Sequence, residues 1–318
     1  MSLFEQLPTE IIQAIFTHSD DLSLPLSSFI FARKLSHEHV YIGFAQHVLY
    51  APLPHGYSAA EVKSHASTVS RLLQCKWLTW PMFKSVLLKT HVRASQDQHN
   101  SEGEHTQLRP PIFDNPAIQG RLKYTNLGHP VQIPQKLLKG SWSEDKTQFL
   151  YYLIWNGIGV DWENSSHGET ALRGLQEAIE ERNSTAVASL VSATVGVIPT
   201  SAMLRYAVID HGCERTIVFH LLEAALRSHI IARTEGQTLT DLNFQDTSIW
   251  HWVERVKRAG NPKGTWLATA LRYATDAAAR GSVYDRHQLE DFVRACGSES
   301  DGVKLVKVPL SLEDIINE

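Results

Sequence analysis

The sequence predicts an all-α protein built from short amphipathic helices, and three observations carry that expectation. Apolar residues return at the helical period: Ile11, Ile12, Ile15 and Phe16 in one stretch, and Val62, Ala66, Val69, Leu72 and Leu73 in another. Helix punctuation bounds such stretches, most clearly the capping box Ser58-Ala59-Ala60-Glu61 and the stop Asn156-Gly157. Aliphatic pairs also recur late in the chain, at Leu190-Val191 and Leu221-Leu222, 31 residues apart. That spacing is close to the ~33 residues of stacked helix-pair repeats.

Composition narrows the function classes. The chain has 318 residues, of which 43% are hydrophobic and 20% charged, so it can bury a sizeable core in two or three packed units. A net charge of −4 and a pI of about 6.5 give no electrostatic footprint for nucleic acid or an anionic membrane. No basic run precedes an apolar stretch at the N-terminus, and the longest apolar runs, such as 149–155, are too short to span a bilayer. Cys75, Cys213 and Cys296 are few and widely spaced, and read as buried thiols in a reducing compartment. The expected location is cytoplasmic or nuclear.

The first element begins Leu7-Pro8-Thr9-Glu10-Ile11-Ile12-Gln13-Ala14-Ile15-Phe16. Pro8 suits a helix start, Glu10 suits the positive end of the helix dipole, and Ile11, Ile12, Ile15 and Phe16 share one apolar face. This opening resembles the F-box pattern Leu-Pro-x-Glu-hydrophobic-hydrophobic-x-x-Ile-Phe. Asp21-Leu22 and Leu24-Pro25-Leu26 stand about where an F-box carries its second helix. Ser19 replaces a usual leucine, and the later basic-aromatic segment is reduced to Arg33-Lys34-Leu35. The resemblance implies a domain that docks on a Skp-type adaptor and links a protein client to a cullin ubiquitin ligase. Its docking anchors would be Leu7, Pro8, Ile11, Ile12, Ile15 and Phe16, a helix face laid in a groove.

Residues 1–50 form this F-box-like element, closing with a helix over Ser36 to Tyr50. Leu24-Pro25-Leu26-Ser27-Ser28, Leu35 to Tyr41 and Cys75-Lys76-Trp77-Leu78-Thr79-Trp80 are similar to landmarks of a group of filamentous-fungal F-box proteins with degenerate ankyrin-like repeats. Residues 51–94 read as a connecting helical hairpin, its second helix capped by Thr79 with Pro81 near the start. Trp77 and Trp80 are expected to pack between consecutive helices. Residues 95–133 read as a polar loop or linker that includes His99, His105 and Pro110-Pro111. Together with His91, those histidines have no helical i, i+4 register and no cysteine partner, and no metal site is expected.

Residues 134–318 read as an array of helical hairpins. Leu153-Ile154, Gly157, Val160-Asp161 and Thr170-Ala171-Leu172 follow the order of an ankyrin repeat, which they resemble. The proline of Thr-Pro-Leu is absent, and arginines at 173 and 205 replace the histidine that follows it. Stacked helix pairs leave a concave surface and free finger tips, so Glu163, Asn164, Ser165, Ser166 and His167 are candidates for client contact. Further along, Asp246 is expected to cap a helix, Pro262 to start one, and residues 285–296 to form the last. Residues 303–308 suggest a short edge strand, and 310–316 an amphipathic turn.

The chemistry of known catalytic motifs is missing. His37-Glu38-His39 lacks the spacing of a zinc-protease helix, Gly260 to Thr265 lacks the Gly-Lys-Ser/Thr order, and no Gly-x-Ser-x-Gly, Gly-x-Gly-x-x-Gly or Cys-x-x-Cys occurs. Glu180-Glu181 and Glu290-Asp291 read as solvated charge. No cofactor is expected, and the reading favours an adaptor over an enzyme. The alternative is a stand-alone helical scaffold, or a small-molecule enzyme without a recognisable motif, in which the first helix is swallowed by the fold. Burial of Ile11, Ile15 and Phe16 distinguishes the two.

Overall fold

The computed structural model describes residues 2–19, 21–50, 58–99, 130–162, 166–234, 242–279 and 286–308. Among them the chain is all-α, with no strand and a single isolated bridge between Gln132 and Gly159. It divides into two compact units, residues 1–137 with 144–159, and residues 138–143 with 160–314. This division cuts across the expected boundaries. The helix expected to end by residue 94 runs to His99, so residues 95–99 are helical rather than loop; residues 100–129 lie outside the described residues.

The first unit contains α1 (Thr9–His18), α2 (Leu24–Ser27), α3 (Phe29–Lys34), α4 (Glu38–Tyr50), α5 (Ala59–Gln74), α6 (Trp80–His99) and α7 (Glu144–Trp155). α4 is its axis, packing against α1, α5 and α6. The capping box forms: the Ser58 hydroxyl accepts from the Glu61 amide, and the Glu61 carboxylate accepts from Ser58. The core is aromatic. Trp80 is buried against Phe83, Phe149 and Tyr152, and its indole N–H donates to Gln148 at 2.9 Å. Trp77 lies 4.7 Å from the Tyr41 ring, so both tryptophans pack as expected. α7 stops in a Schellman turn: Gly157 adopts φ 77°, its N–H reaches Ile154 O, and Ile158 N–H reaches Leu153 O.

A half-buried lysine closes the α5 terminus. Lys136 donates to the carbonyls of Cys75 and Leu78, placing a cation where the helix dipole is negative. Burial pulls this amine down to about 8.

The second unit contains α8 (His167–Glu180), α9 (Ser184–Leu190), α10 (Ser201–Arg205), a π-helical turn (Tyr206–Asp210), α11 (Arg215–Thr234), α12 (Thr247–Arg258), α13 (Pro262–Ala279) and α14 (Arg286–Cys296). α11 is the central helix, touching α9, α10, α13 and α14. Asp246 caps α12 as expected, accepting from Ser248 and Ile249, and also pairs with Arg205 at 2.8 Å. The alanine-rich end of α13 is not fully exposed: Ala274 and Ala277 are buried.

Two readings of this unit need correction. Residues 303–308 form no strand, because no neighbouring strand is present among the described residues; 310–316 lie outside them. Glu181 is not merely solvated. Its carboxylate accepts from Trp142 N at 2.7 Å, Glu177 accepts from Gly140 N at 2.5 Å, and Glu180 accepts from the Tyr206 hydroxyl. Acidic groups at a helix C-terminus face the negative end of the dipole, and these donors offset that cost.

α11 buries a row of polar residues, Thr216, His220, Glu223 and Arg227. Glu223 and Arg227 pair at 2.8 Å. His220 is neutral, because burial and the nearby Arg227 charge bring its imidazole down to about 4. An unfolded histidine titrates near 6.5, so between pH 6.5 and 4 the unfolded chain takes up a proton that the folded chain refuses. Stability present above pH 6.5 is therefore lost on acidification, by roughly 3 kcal/mol at pH 4 from this group alone. Urea denaturation at pH 7 and pH 4.5 should show a smaller acid loss for His220→Phe than for the wild type.

A candidate docking surface on the first helices

The N-terminal site starts from a pinned backbone. The 3₁₀ turn Phe4–Gln6 is closed by Ser2 N donating to Glu5 and by Glu5 N donating to the Ser2 hydroxyl. The Ser28 hydroxyl, which also caps α3, donates to the Glu5 carboxylate at 2.6 Å. This bond is the chief reason that Glu5 ionises below the usual carboxylate range. Lys34, at the end of α3, donates to Glu5 O and Leu7 O at 3.0 and 2.6 Å, and Gln13 of α1 donates to Lys34 O. The reduced basic segment thus has a structural task, clamping the turn before α1 onto α3.

Two adjacent stripes of α1 then take opposite roles. Ile12 and Phe16, four residues apart, point into the core; Phe16 stacks on Phe44 of α4 at 4.5 Å, with Tyr41 edge-on. Both had been expected as docking anchors, and both are sealed within their own unit, so neither can touch a partner. Ile11 and Ile15 form the neighbouring stripe and remain 47% and 37% exposed. Pro8 is exposed and Leu7 half-buried.

Apolar exposure extends beyond α1. Among the described residues twelve large hydrophobic side chains are exposed, and six of them fall in the first 29 residues: Leu3, Phe4, Ile11, Ile15, Leu26 and Phe29. Phe4 rests edge-on against Phe31 at 5.1 Å, and α3 packs on α1 and α2, so these side chains decorate one small helical element. Isolated exposed apolar residues are ordinary on a surface, so it is the clustering of six within 29 residues that makes this element the candidate docking surface. Leu3, Leu26 and Phe29 were not among the docking anchors expected from sequence, because they lie outside the periodic face of the first helix.

The finger tip is partly described. Glu163, Asn164 and Ser165 lie outside the described residues. Ser166 is exposed, its carbonyl accepting from Thr170, and His167 is half-buried, with burial lowering its basicity and Asp161 raising it. Sequence reasoning missed Trp162. Its indole N–H donates to Val195 O at 2.7 Å, and its ring covers Gly168, where a Cβ would stand 2.4 Å from Trp162 Cε3. The side chain is nevertheless 41% exposed. A tryptophan six residues ahead of a glycine in the first turn of a helix was the available signal. No known family model matches the chain, and neither a curated protein nor a solved structure shows significant similarity to it.

Proposed function

We propose that this protein is a client-binding adaptor of a Skp-cullin-F-box type ubiquitin ligase, with α1 to α3 as the F-box-like docking element. The observation that carries this reading is the exposure of Ile11 and Ile15 beside Pro8, on a helix whose neighbouring stripe is anchored in the core. A helix face seated in a partner's groove uses such i, i+4 anchors. The docking set is accordingly Leu7, Pro8, Ile11 and Ile15, extended by Phe4, Leu26 and Phe29. The hairpins of the second unit, read as ankyrin-like, would hold the protein client through finger-tip residues that include Trp162.

Co-purification with a Skp-type adaptor tests the proposal. The wild-type chain should co-elute with it on size exclusion, and Ile11→Glu with Ile15→Glu should weaken the complex by about 100-fold, equivalent to nearly 3 kcal/mol. Both positions face solvent in the free chain, so the variant should keep its helical circular dichroism. Co-elution that survives the double substitution removes these anchors, and no co-elution of the wild type removes the adaptor assignment.

A further inference from the structure

The polar row on α11 contains two acceptors that an ordinary core helix does not need. The Thr216 hydroxyl accepts from Lys304 N at 3.0 Å, and His220 Nε2 accepts from Val306 N at 3.3 Å. Both donors belong to residues 303–308, which carry no helix or strand. The two spacings agree. Side chains four residues apart on a helix are separated by about 6 Å along its axis, and alternate amides of an extended chain by about 6.6 Å on one side. α11 therefore reads the main chain of an extended segment, as a neighbouring strand would.

Side-chain selection occurs at only a few points. Val303 and Val308 are buried, whereas Lys304, Leu305 and Lys307 are exposed. Leu305, though exposed, lies close to Gly297, where a Cβ would stand 2.6 Å from Val293 O and 3.2 Å from Leu305 Cδ2. A site that hydrogen-bonds backbone amides depends little on the exposed side chains of the segment that fills it.

We infer that the Thr216–His220 face of α11 is a binding site for an extended peptide with valine-like residues five positions apart, and that residues 303–308 occupy it as a tethered strap. The inference concerns the second unit alone and does not depend on how α1 is used. A tethered segment competes at an effective concentration on the order of millimolar, so a free peptide must match that to enter.

The test uses the full chain and the labelled peptide Val-Lys-Leu-Val-Lys-Val, the sequence of residues 303–308. Fluorescence anisotropy should show Val303→Asp with Val308→Asp binding it at least about tenfold more tightly than the wild type. His220→Phe added to that variant should remove the gain. A peptide N-methylated at the positions of Lys304 and Val306 lacks both donors and should not bind. Should the strap variant fold poorly, hydrogen exchange on the wild type gives a second measure. Millimolar peptide should speed exchange of the Lys304 and Val306 amides and leave the middle of α11 protected, whereas the methylated peptide should not. A methylated peptide that performs like its parent overturns the inference, as does unmethylated peptide that neither binds the variant nor alters exchange in the wild type.

Discussion

Gly174→Ala is expected to lower the stability of the second unit by about 3 kcal/mol or more, a drop of roughly 6–12 °C in melting temperature for a unit of this size. Alanine normally favours a helix over glycine by up to about 1 kcal/mol, so the expected sign is opposite to propensity. The reason is close approach. A Cβ at position 174 in α8 would stand 1.9 Å from Leu138 O and 2.8 Å from Leu138 C. These are backbone atoms of a loop that cannot drift away cheaply. Gly140 N and Trp142 N are held by Glu177 and Glu181, Trp142 Nε1 donates to Gly174 O, and Asn183 donates to Trp142 O. Relief of the clash therefore requires breaking bonds that satisfy the α8 C-terminus. Gly43→Ala is the control: there a Cβ would meet Thr17 at 3.5 Å, an ordinary contact, and helix propensity should give a gain of about 0.5–1 kcal/mol. Thermal unfolding of the two variants by circular dichroism checks both signs.

The same contrast shows how much of the molecule can be read from the sequence. Local signals with a self-contained mechanism are legible. The Ser58–Glu61 box, the Asp246 cap, the Gly157 stop and the Pro262 start each depend on hydrogen bonds or dihedral angles within a few residues. What depends on contacts distant in sequence is not legible. Gly174 reads as a weak point in a helix until Leu138 is placed against it. Ile11, Ile12, Ile15 and Phe16 read as one face, because two stripes roughly 100° apart are equally apolar; only the position of Phe44 shows which stripe turns inward. Thr216, His220, Glu223 and Arg227 fall on one side of α11, yet their residue types indicate solvent, and their burial follows from the helices and the strap that surround them.

The Glu223–Arg227 pair carries the second large expected effect. Arg227→Met removes the guanidinium that also donates to Val191 O, leaving that carbonyl and a buried carboxylate without it. Breaking a buried pair from one side costs about 3–5 kcal/mol, because the surviving charge loses its compensation in a medium that solvates it poorly. Burial already holds the Glu223 carboxyl above its ordinary range against the opposing pull of Arg227. Removing Arg227 leaves burial to raise it further. A carboxyl whose folded pKa is raised contributes stability below its unfolded pKa and loses it as pH rises through the folded value. The deficit of the variant relative to the wild type should consequently be larger at pH 8 than at pH 5. Glu223→Leu combined with Arg227→Met removes both charges and fills the space with apolar groups. That double variant should recover most of the loss, so that the losses of the two single variants add up to far more than the loss of the double variant. Urea denaturation of the two single variants and the double variant, at both pH values, measures the cycle. An Arg227→Met deficit that does not change with pH would mean that Glu223 is neutral in the wild type, and that the pair is held by a hydrogen bond rather than by charge.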